Sequence, residues 1–302
     1  MTAPLRAPEG SPRPRANGLA ALARMVKLSH SLFALPFVAS AVVLVAPQAS
    51  LDAWRLVLVA VAVVAARTAA MAMNRVADRW FDANNPRTRR RELVTGEVSP
   101  RAAWALLGGS AGVFVLAAAL ISELCGWLAL PVLGILLGYS YAKRFTWACH
   151  LWLGVAQALA PIGVAVALTG TVPAASVVLG VGVGAWIAGF DVFYALQDLE
   201  YDRSVGLNSI PTRFGARGAL VWARVLHVFA IACIAAAGAR AGRGAGWLVG
   251  TVILAAVIAA EHWHVSPRGE LKPERIDVAF FNYNAFASIA FALCALGDLA
   301  LR

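Results

Sequence analysis

Charged residues are scarce in this sequence of 302 residues. They make up 14% of it, whereas hydrophobic residues make up 60%, and the mean hydropathy is +0.72. A soluble domain is typically about half apolar and about a quarter charged, so this composition excludes an ordinary soluble globular protein. It indicates an integral membrane protein, in which each spanning helix needs roughly 20 mostly apolar residues.

Cysteines and acidic residues are also few. The four cysteines lie far apart without a C-x-x-C spacing, which argues against a zinc site or a disulfide framework. The 16 acidic residues are outnumbered by 26 basic ones, which gives a net charge of +10. Such an excess can indicate nucleic-acid binding, but in a chain this apolar we expect it to reflect orientation in a membrane.

Long apolar runs are abundant, and they predict an all-α membrane protein of about nine transmembrane helices. The runs cover 28–47, 52–74, 102–121, 124–142, 148–168, 172–194, 218–238, 244–263 and 278–299. Residues 1–24 are rich in proline and arginine and have no apolar run, so they are predicted to be a disordered tail. Residues 25–302 are predicted to form a single transmembrane domain.

Lysine and arginine are distributed unevenly along the chain. With nine spans, the N-terminus and three long polar segments, 75–101, 195–217 and 264–277, fall on the same side of the membrane. That side carries 21 of the 26 basic residues. Because short basic loops stay in the cytoplasm, the N-terminus and the long loops are predicted to be cytoplasmic.

A first acidic motif consists of Asn74, Asp78 and Asp82, which are spaced four residues apart. Residues at this spacing share one face of a helix, so the three side chains should line one stripe where the second span leaves the membrane. Arg67 lies two turns deeper on the same stripe. It is predicted either to contact an anionic group of a substrate or to form an internal salt bridge, for example with Asp191.

A second acidic motif consists of Asp191, Tyr194, Asp198 and Asp202, with offsets of three, seven and eleven residues. These offsets again place the side chains on one helical stripe, at the end of the sixth span. Mg²⁺ prefers oxygen ligands and usually takes one or two carboxylates together with substrate phosphates. Two facing stripes could therefore hold magnesium ions on a diphosphate.

Other side chains are predicted to complete this site from the same side of the membrane. Lys143 and Arg144 follow the fourth span and could bind phosphate oxygens. The rings of Tyr139 and Tyr194 could face a developing carbocation. Two alternatives remain: the acids could merely balance arginines on solvated loops, or they could serve an ion-coupled transporter.

Together, these residues resemble the UbiA superfamily of intramembrane prenyltransferases. Asn74-x-x-x-Asp78-x-x-x-Asp82 and Asp191-x-x-Tyr194-x-x-x-Asp198-x-x-x-Asp202 resemble its two aspartate-rich motifs. The segments Tyr139–Thr146 and His30–Pro36 resemble further parts of the family. The resemblance implies nine helices around a central cavity, which the acidic motifs cap from the cytoplasm.

Within that family, the chain looks most like the branch that prenylates 4-hydroxybenzoate, and a subgroup that uses a dihydroxynaphthoate fits comparably well. The resemblance implies Mg²⁺, a polyprenyl diphosphate donor and a place in the inner membrane of a prokaryote. Lys143 and Arg144 would stabilise the departing pyrophosphate, and Arg67 would orient the carboxylate of the acceptor. The ligands of Mg²⁺ would be Asn74, Asp78, Asp82, Asp191, Asp198 and Asp202.

Overall fold

The protein is described by a computed structural model, which covers residues 18–27, 35–49, 51–266, 275–278 and 282–301. Within these ranges the regular structure is helical and includes no β-strand. Two 3-10 helices, Ala46–Gln48 and Leu196–Asp198, follow α2 and α8. The α-helices are α1 Gly18–Met25, α2 Leu35–Val45, α3 Ala53–Asn84, α4 Glu92–Thr95, α5 Pro100–Ile121, α6 Glu123–Ala142, α7 Cys149–Thr169, α8 Ala174–Ala195, α9 Leu199–Ser204, α10 Ile210–Arg240, α11 Ala245–Val265, α12 Ile276–Val278 and α13 Asn284–Ala300.

Seven helical segments are long and apolar enough to cross a membrane, which agrees with an integral membrane protein. They are Ala53–Asn84, Pro100–Ile121, Glu123–Ala142, Cys149–Thr169, Ala174–Ser204, Ile210–Arg240 and Ala245–Val265. Two shorter apolar helices, Leu35–Gln48 and Asn284–Ala300, lie within the first and last predicted runs. His30 and several other residues of those two runs lie outside the described residues, so a total of nine crossings stays a prediction.

Serine side chains fix where three of these helices begin. Ser99 accepts a hydrogen bond from the backbone of the first turn of α5, and Ser122 does the same for α6. Ser209 and Thr212 form a reciprocal capping box at the start of α10. Such caps satisfy amide groups that the first turn of a helix leaves without intrahelical partners.

The two acidic motifs differ in backbone structure. The first lies on one long helix, because α3 continues to Asn84, ten residues beyond the predicted end of that span. The second does not lie on one uninterrupted α-helix, so that prediction was wrong. α8 ends at Ala195, a 3-10 turn follows over Leu196–Asp198, and α9 then begins at Leu199. A 3-10 turn has three residues per turn, so the side chains after it point in different directions from those of a continued α-helix.

The tail predicted to be disordered, residues 1–24, includes residues that are helical in the structure. Residues 18–24 belong to α1, and the earlier part of the tail lies outside the described residues. Ala21 and Met25 are buried in a small apolar cluster with Ala72 of α3 and Leu93 of α4. Because this face of α1 is covered by packing, the segment folds although the sequence around it is rich in proline and arginine.

Helices α7 and α8 approach each other closely through small residues. Gly184 and Gly180 of α8 lie against Gly154 and Ala158 of α7, so closely that a methyl group on Gly180 would lie 2.6 Å from the Ala158 carbonyl oxygen. Small residues at four-residue spacing are typical of close helix packing in membranes. The contact fixes the register of the two helices, and His150 and Asp191 lie on the same stripes toward one end of the contact.

A methyl group at Gly184 should weaken this contact. It would collide with the carbonyl oxygen of Gly154, and overpacking of this kind typically costs about 1–3 kcal/mol. We expect Gly184→Ala to lower the thermal unfolding midpoint of the detergent-solubilised protein by several degrees. The control is Gly163→Ala on α7, where no atom lies within 4 Å of the added methyl group. Equal midpoints for the two variants would contradict the close packing.

Candidate active site

A cavity of about 720 Å³ lies among α2, α3, α5, α6, α7 and α8. Much of its wall is apolar, with Val59, Phe114 and Leu128 toward one end. The other end, called the cavity mouth below, is charged. The mouth is lined by Asp78, Asp82, Arg87, Arg91, Lys143, Asp198 and Asp202.

Most of the predicted site residues line this one cavity. They are Arg67, Asn74, Asp78, Asp82, Tyr139, Lys143, Asp191, Tyr194, Asp198 and Asp202. Arg144 is not in the lining: its Nη2 atom donates to the Ala77 carbonyl oxygen at 2.5 Å, and its guanidinium lies 4.7 Å from the centre of the Tyr141 ring. These contacts turn Arg144 toward α3 and not toward the space where a diphosphate would bind.

The carboxylates of the first acidic motif are buried and paired with bases. Lys143 Nζ donates to Asp78 Oδ2 at 2.7 Å, and Asn74 Nδ2 donates to the same oxygen at 3.1 Å. Asp82 accepts from Arg91 Nη1, with both oxygens at 2.7 Å. Asp78 Oδ1 is buried and has no hydrogen-bond partner among the described residues. One carboxylate oxygen at the mouth is therefore left for a ligand.

The second acidic motif is tied to the loop that follows the first. Asp198 Oδ1 accepts hydrogen bonds from Asn85 Nδ2 and Arg87 Nε, both at 2.8 Å. Arg87 also forms an ion pair with Asp198 Oδ2, and its Nη1 atom donates to the Tyr194 hydroxyl at 2.8 Å. Burial alone would lower the pKa of the Arg87 guanidinium, but its bonds to Asp198 outweigh burial and raise that pKa. Arg87 thus ties the second motif to the loop that follows the first.

Two further hydrogen bonds hold the loops around the mouth together. The Tyr201 hydroxyl of α9 donates to the Phe81 carbonyl oxygen of α3 at 2.7 Å. The amide of Asn208 donates to the Lys143 carbonyl oxygen at 2.7 Å. The ends of α3, α6 and α9 are therefore connected directly, although they are far apart in sequence.

Asp191 has a different kind of partner from the other acids. Its Oδ2 atom lies 2.7 Å from Nδ1 of His150, the second residue of α7. His150 is 3% exposed, and its ring lines the cavity. Its Nε2 atom is buried without a hydrogen-bond partner among the described residues.

Two arginines of α3 hold the end of α1 against the cavity. Arg67 Nη1 donates to the carbonyl oxygens of Val26 and Lys27 at 3.4 and 3.5 Å. Arg75 is 5% exposed, and its Nε atom donates to the Met25 carbonyl oxygen at 3.1 Å. The role predicted for Arg67 stays a prediction, but the structure gives it backbone partners that neither alternative anticipated.

Sequence reasoning missed four residues of this site. They are Lys27, Arg87, Arg91 and His150, all of which line the cavity. Arg87 lies inside the run Asn85–Thr88, which echoes Asn208–Arg213 after the second motif. That echo was the available signal for Arg87. Lys27 and His150 gave no signal, because single basic residues beside apolar runs are common at membrane surfaces, and Arg91 could not be distinguished from its neighbours Arg89 and Arg90.

Comparison with known proteins agrees with the resemblance of the two acidic motifs to the UbiA superfamily. The model of the UbiA prenyltransferase family matches residues 34–286. The chain is 32% identical over 238 residues to a 4-hydroxybenzoate octaprenyltransferase of Pseudomonas syringae pv. syringae (strain B728a), with 78% of each chain covered.

Two solved structures are also similar. The apo structure of a UbiA homolog from Aeropyrum pernix K1 has 34% identity and a TM-score of 0.80, and the match covers 90% of this chain and 98% of that one. A UbiA homolog from Archaeoglobus fulgidus bound to DMAPP and Mg²⁺ has 21% identity and a TM-score of 0.69, over 93% of this chain and all of that one. The second likeness is evidence for the fold alone.

The charge of Lys27 should affect the binding of a diphosphate anion between pH 7 and pH 9. Burial, followed by repulsion from Arg75, Arg91 and Arg87, lowers the pKa of Lys27 to about 8, with Asp277 acting in the opposite direction. The ammonium is therefore mostly charged at pH 7 and mostly neutral at pH 9. Losing one charge near an anion costs about 1 kcal/mol, so the affinity for inorganic pyrophosphate should fall roughly fivefold beyond any change in the anion itself.

Calorimetric titration of the detergent-solubilised protein at both pH values measures this effect. Lys27→Gln should bind pyrophosphate more weakly than the wild-type protein at pH 7. Its affinity should not show the additional fall between pH 7 and pH 9. Arg89→Gln, which removes an exposed charge from the loop after α3, should keep it. An unchanged pH dependence in Lys27→Gln would contradict the assignment.

Proposed function

The chain belongs to the UbiA prenyltransferase family and is an aromatic prenyltransferase, and we propose that it transfers a polyprenyl group from a polyprenyl diphosphate to 4-hydroxybenzoate in the synthesis of a ubiquinone-type quinone. The observation that carries this proposal is the convergence of both acidic motifs on one end of a largely apolar cavity. The relative from Pseudomonas syringae supports the choice of acceptor, because its name specifies 4-hydroxybenzoate.

The cavity mouth suits magnesium together with a diphosphate. No group of three or more His, Cys, Asp or Glu side chains is arranged to hold a metal within the described ranges. Mg²⁺ does not need such a group, because it commonly takes one or two carboxylates plus phosphate oxygens and water. The unpartnered Oδ1 of buried Asp78 fits this requirement. Bound there, Mg²⁺ would neutralise negative charge on the leaving pyrophosphate.

We propose that five of the six predicted ligands hold Mg²⁺. They are Asn74, Asp78, Asp82, Asp198 and Asp202, all of which line the cavity. Asp191, which is paired with His150, is left out, because helical geometry of 1.5 Å per residue places it roughly 10 Å along the chain axis from Asp198.

The bases at the mouth would bind the diphosphate itself. Lys143, Arg91 and Arg87 now neutralise Asp78, Asp82 and Asp198 respectively. Once the carboxylates take up metal, these cations can turn to phosphate oxygens, for which charge-assisted hydrogen bonds are strong. This exchange keeps the mouth close to charge balance before and after the donor binds. Arg144 is not included, because its guanidinium lies outside the cavity lining.

The reaction needs no covalent bond to the enzyme. The carbon–oxygen bond of the donor breaks, and its electron pair leaves with pyrophosphate. The ring carbon beside the phenol oxygen forms the new carbon–carbon bond and then loses its proton to pyrophosphate or water. Tyr139 and Tyr194 would place aromatic rings near the allylic cation, and the apolar wall would keep away water, which would otherwise trap it.

Arg67 is proposed to orient the carboxylate of the acceptor. Its guanidinium lies beside the carbonyl oxygens of Val26 and Lys27, in a wall that also includes Arg75. The positive charge of this wall would attract an aromatic acid. We further propose that the cavity mouth faces the cytoplasm and that the host membrane is a prokaryotic inner membrane, on the strength of the uneven distribution of lysine and arginine.

Turnover should depend on the carboxylates of both motifs. Asp78→Asn and Asp198→Asn should each lower kcat/KM at least about 100-fold, because removing one group that stabilises developing charge typically costs this much. Glu200→Gln is the matched control, since Glu200 is an exposed acid between Asp198 and Asp202 that does not line the cavity. Product is measured by mass spectrometry with purified protein, Mg²⁺, geranyl diphosphate and 4-hydroxybenzoate. Full activity in both aspartate variants, with folding intact, would refute the proposed metal site.

The acceptor can be identified with a small panel of aromatic acids. The wild-type protein should prenylate 4-hydroxybenzoate at the carbon next to the hydroxyl group. It should not prenylate benzoate, whose ring lacks the activating oxygen. Product on 1,4-dihydroxy-2-naphthoate and none on 4-hydroxybenzoate would replace the proposed acceptor with a dihydroxynaphthoate. Absence of product on both would overturn the proposed function.

A further inference from the structure

The pair formed by His150 and Asp191 is the part of the cavity wall that the proposed chemistry leaves unused. We propose that this pair binds the hydroxyl group of the aromatic acceptor, with His150 Nε2 as its hydrogen-bond partner and Asp191 as the residue that positions the imidazole ring. The inference rests on the proposed function and adds to it a specificity determinant for the acceptor.

The first argument is the position of the pair in the fold. His150 lies four residues before Gly154, and Asp191 lies seven after Gly184, so both are on the faces along which α7 and α8 pack closely. The close contact fixes their separation at 2.7 Å. Because the pair sits on two closely packed helices and not on loops, its geometry is set before any ligand arrives.

The second argument is the proton arrangement. A carboxylate only accepts hydrogen bonds, so its contact with Nδ1 assigns a proton to that nitrogen. Nε2 lies on the far side of the ring from Asp191 and can form a hydrogen bond with a hydroxyl group, which both donates and accepts. Such an arrangement, in which a carboxylate fixes the ring and tautomer of a histidine, is a general way of presenting the second nitrogen to a partner.

The third argument is the cost of leaving this nitrogen without a partner. Nε2 is buried and has no hydrogen-bond partner among the described residues. An unsatisfied buried polar atom typically costs about 1–3 kcal/mol, and such atoms in native proteins call for an explanation such as a ligand. His150 lines the cavity, so a ligand in the cavity is the nearest hydrogen-bond partner for this nitrogen.

The surroundings select the ligand class. Phe190, Leu153 and Ile187 line the same part of α7 and α8 and are apolar. A mostly apolar wall with few polar groups suits a flat aromatic ring that carries a hydroxyl group. It does not suit a diphosphate, which carries several negative charges and would face the carboxylate of Asp191. The donor therefore belongs at the mouth, and the hydroxyl of the acceptor belongs at His150.

The test compares how the protein binds 4-hydroxybenzoate and benzoate, which lacks the hydroxyl group. Steady-state kinetics with purified protein, Mg²⁺ and geranyl diphosphate give the Michaelis constants for the acceptor and for the donor, together with the inhibition constant for benzoate. His150→Ala should raise the Michaelis constant for the acceptor about tenfold, as expected for the loss of one hydrogen bond of about 1.4 kcal/mol. The Michaelis constant for geranyl diphosphate and the inhibition constant for benzoate should stay within about twofold of wild type.

Conservative variants distinguish the loss of this hydrogen bond from misfolding of the protein. His150→Gln keeps a side-chain amide that can form a hydrogen bond with a hydroxyl group, and it should recover part of the preference for 4-hydroxybenzoate over benzoate. Asp191→Asn keeps the size of the side chain but removes the negative charge that holds the imidazole ring in position, which should weaken the preference. Gln157→Ala, which alters another residue of α7 in the cavity lining, should keep the wild-type preference.

The inference fails if all three variants of the pair keep the wild-type preference. It also fails if the constants for 4-hydroxybenzoate and benzoate rise together, because that result shows only a distorted cavity. Both outcomes leave the proposed function intact, since wild-type protein still forms product. Absence of product with wild-type protein on 4-hydroxybenzoate and on 1,4-dihydroxy-2-naphthoate would instead overturn the proposed function itself, and the inference with it.

Discussion

The burial of several carboxylates at one end of an apolar helical bundle is the constraint on which the rest of the site depends. Asp78 and Asp82 are only 3% and 6% exposed. An unpaired buried charge costs several kcal/mol, so each carboxylate needs a base in contact. Lys143 and Arg91 meet this need. Bases are also the groups that bind a diphosphate, so one arrangement would serve both the stability of the fold and the binding of the proposed donor.

This constraint explains why the loops at the cavity mouth are so closely connected. Two of the three bases come from distant parts of the chain. Arg87 and Asp198 are 111 residues apart, and Lys143 and Asp78 are 65 apart, whereas Arg91 and Asp82 are only nine apart. The two distant ion pairs therefore bring separate helix ends together. Weakening one pair should loosen both the local fold and the binding site, because the same bond serves both.

The fold and the acidic motifs could be predicted from the sequence because they depend on local patterns. Apolar runs identify the helices, and four-residue spacing places Asn74, Asp78 and Asp82 on one face. The contact of Asp78 with Lys143, 65 residues away, is a long-range contact that no periodicity encodes. For the same reason the pairing of His150 with Asp191 was missed. The 3-10 turn before α9 was also missed, since its local spacing is compatible with an ordinary helix.

The cavity thus has two regions that differ in charge, and this difference would determine where each substrate binds. At the mouth, cations and anions are interleaved, so a diphosphate with its metal can bind there by exchanging ion pairs. Farther along α8, at Asp191, the wall is more apolar, and its polar groups include the imidazole of His150. On the proposed function, the charged headgroup of the donor would bind in the first region and the aromatic ring of the acceptor in the second. The electrophilic carbon of the donor would then form between them, beside apolar walls that limit the access of water. On this argument, the separation of the two regions along α8 determines which ring carbon is attacked, because it fixes how far the acceptor's hydroxyl group lies from the leaving pyrophosphate.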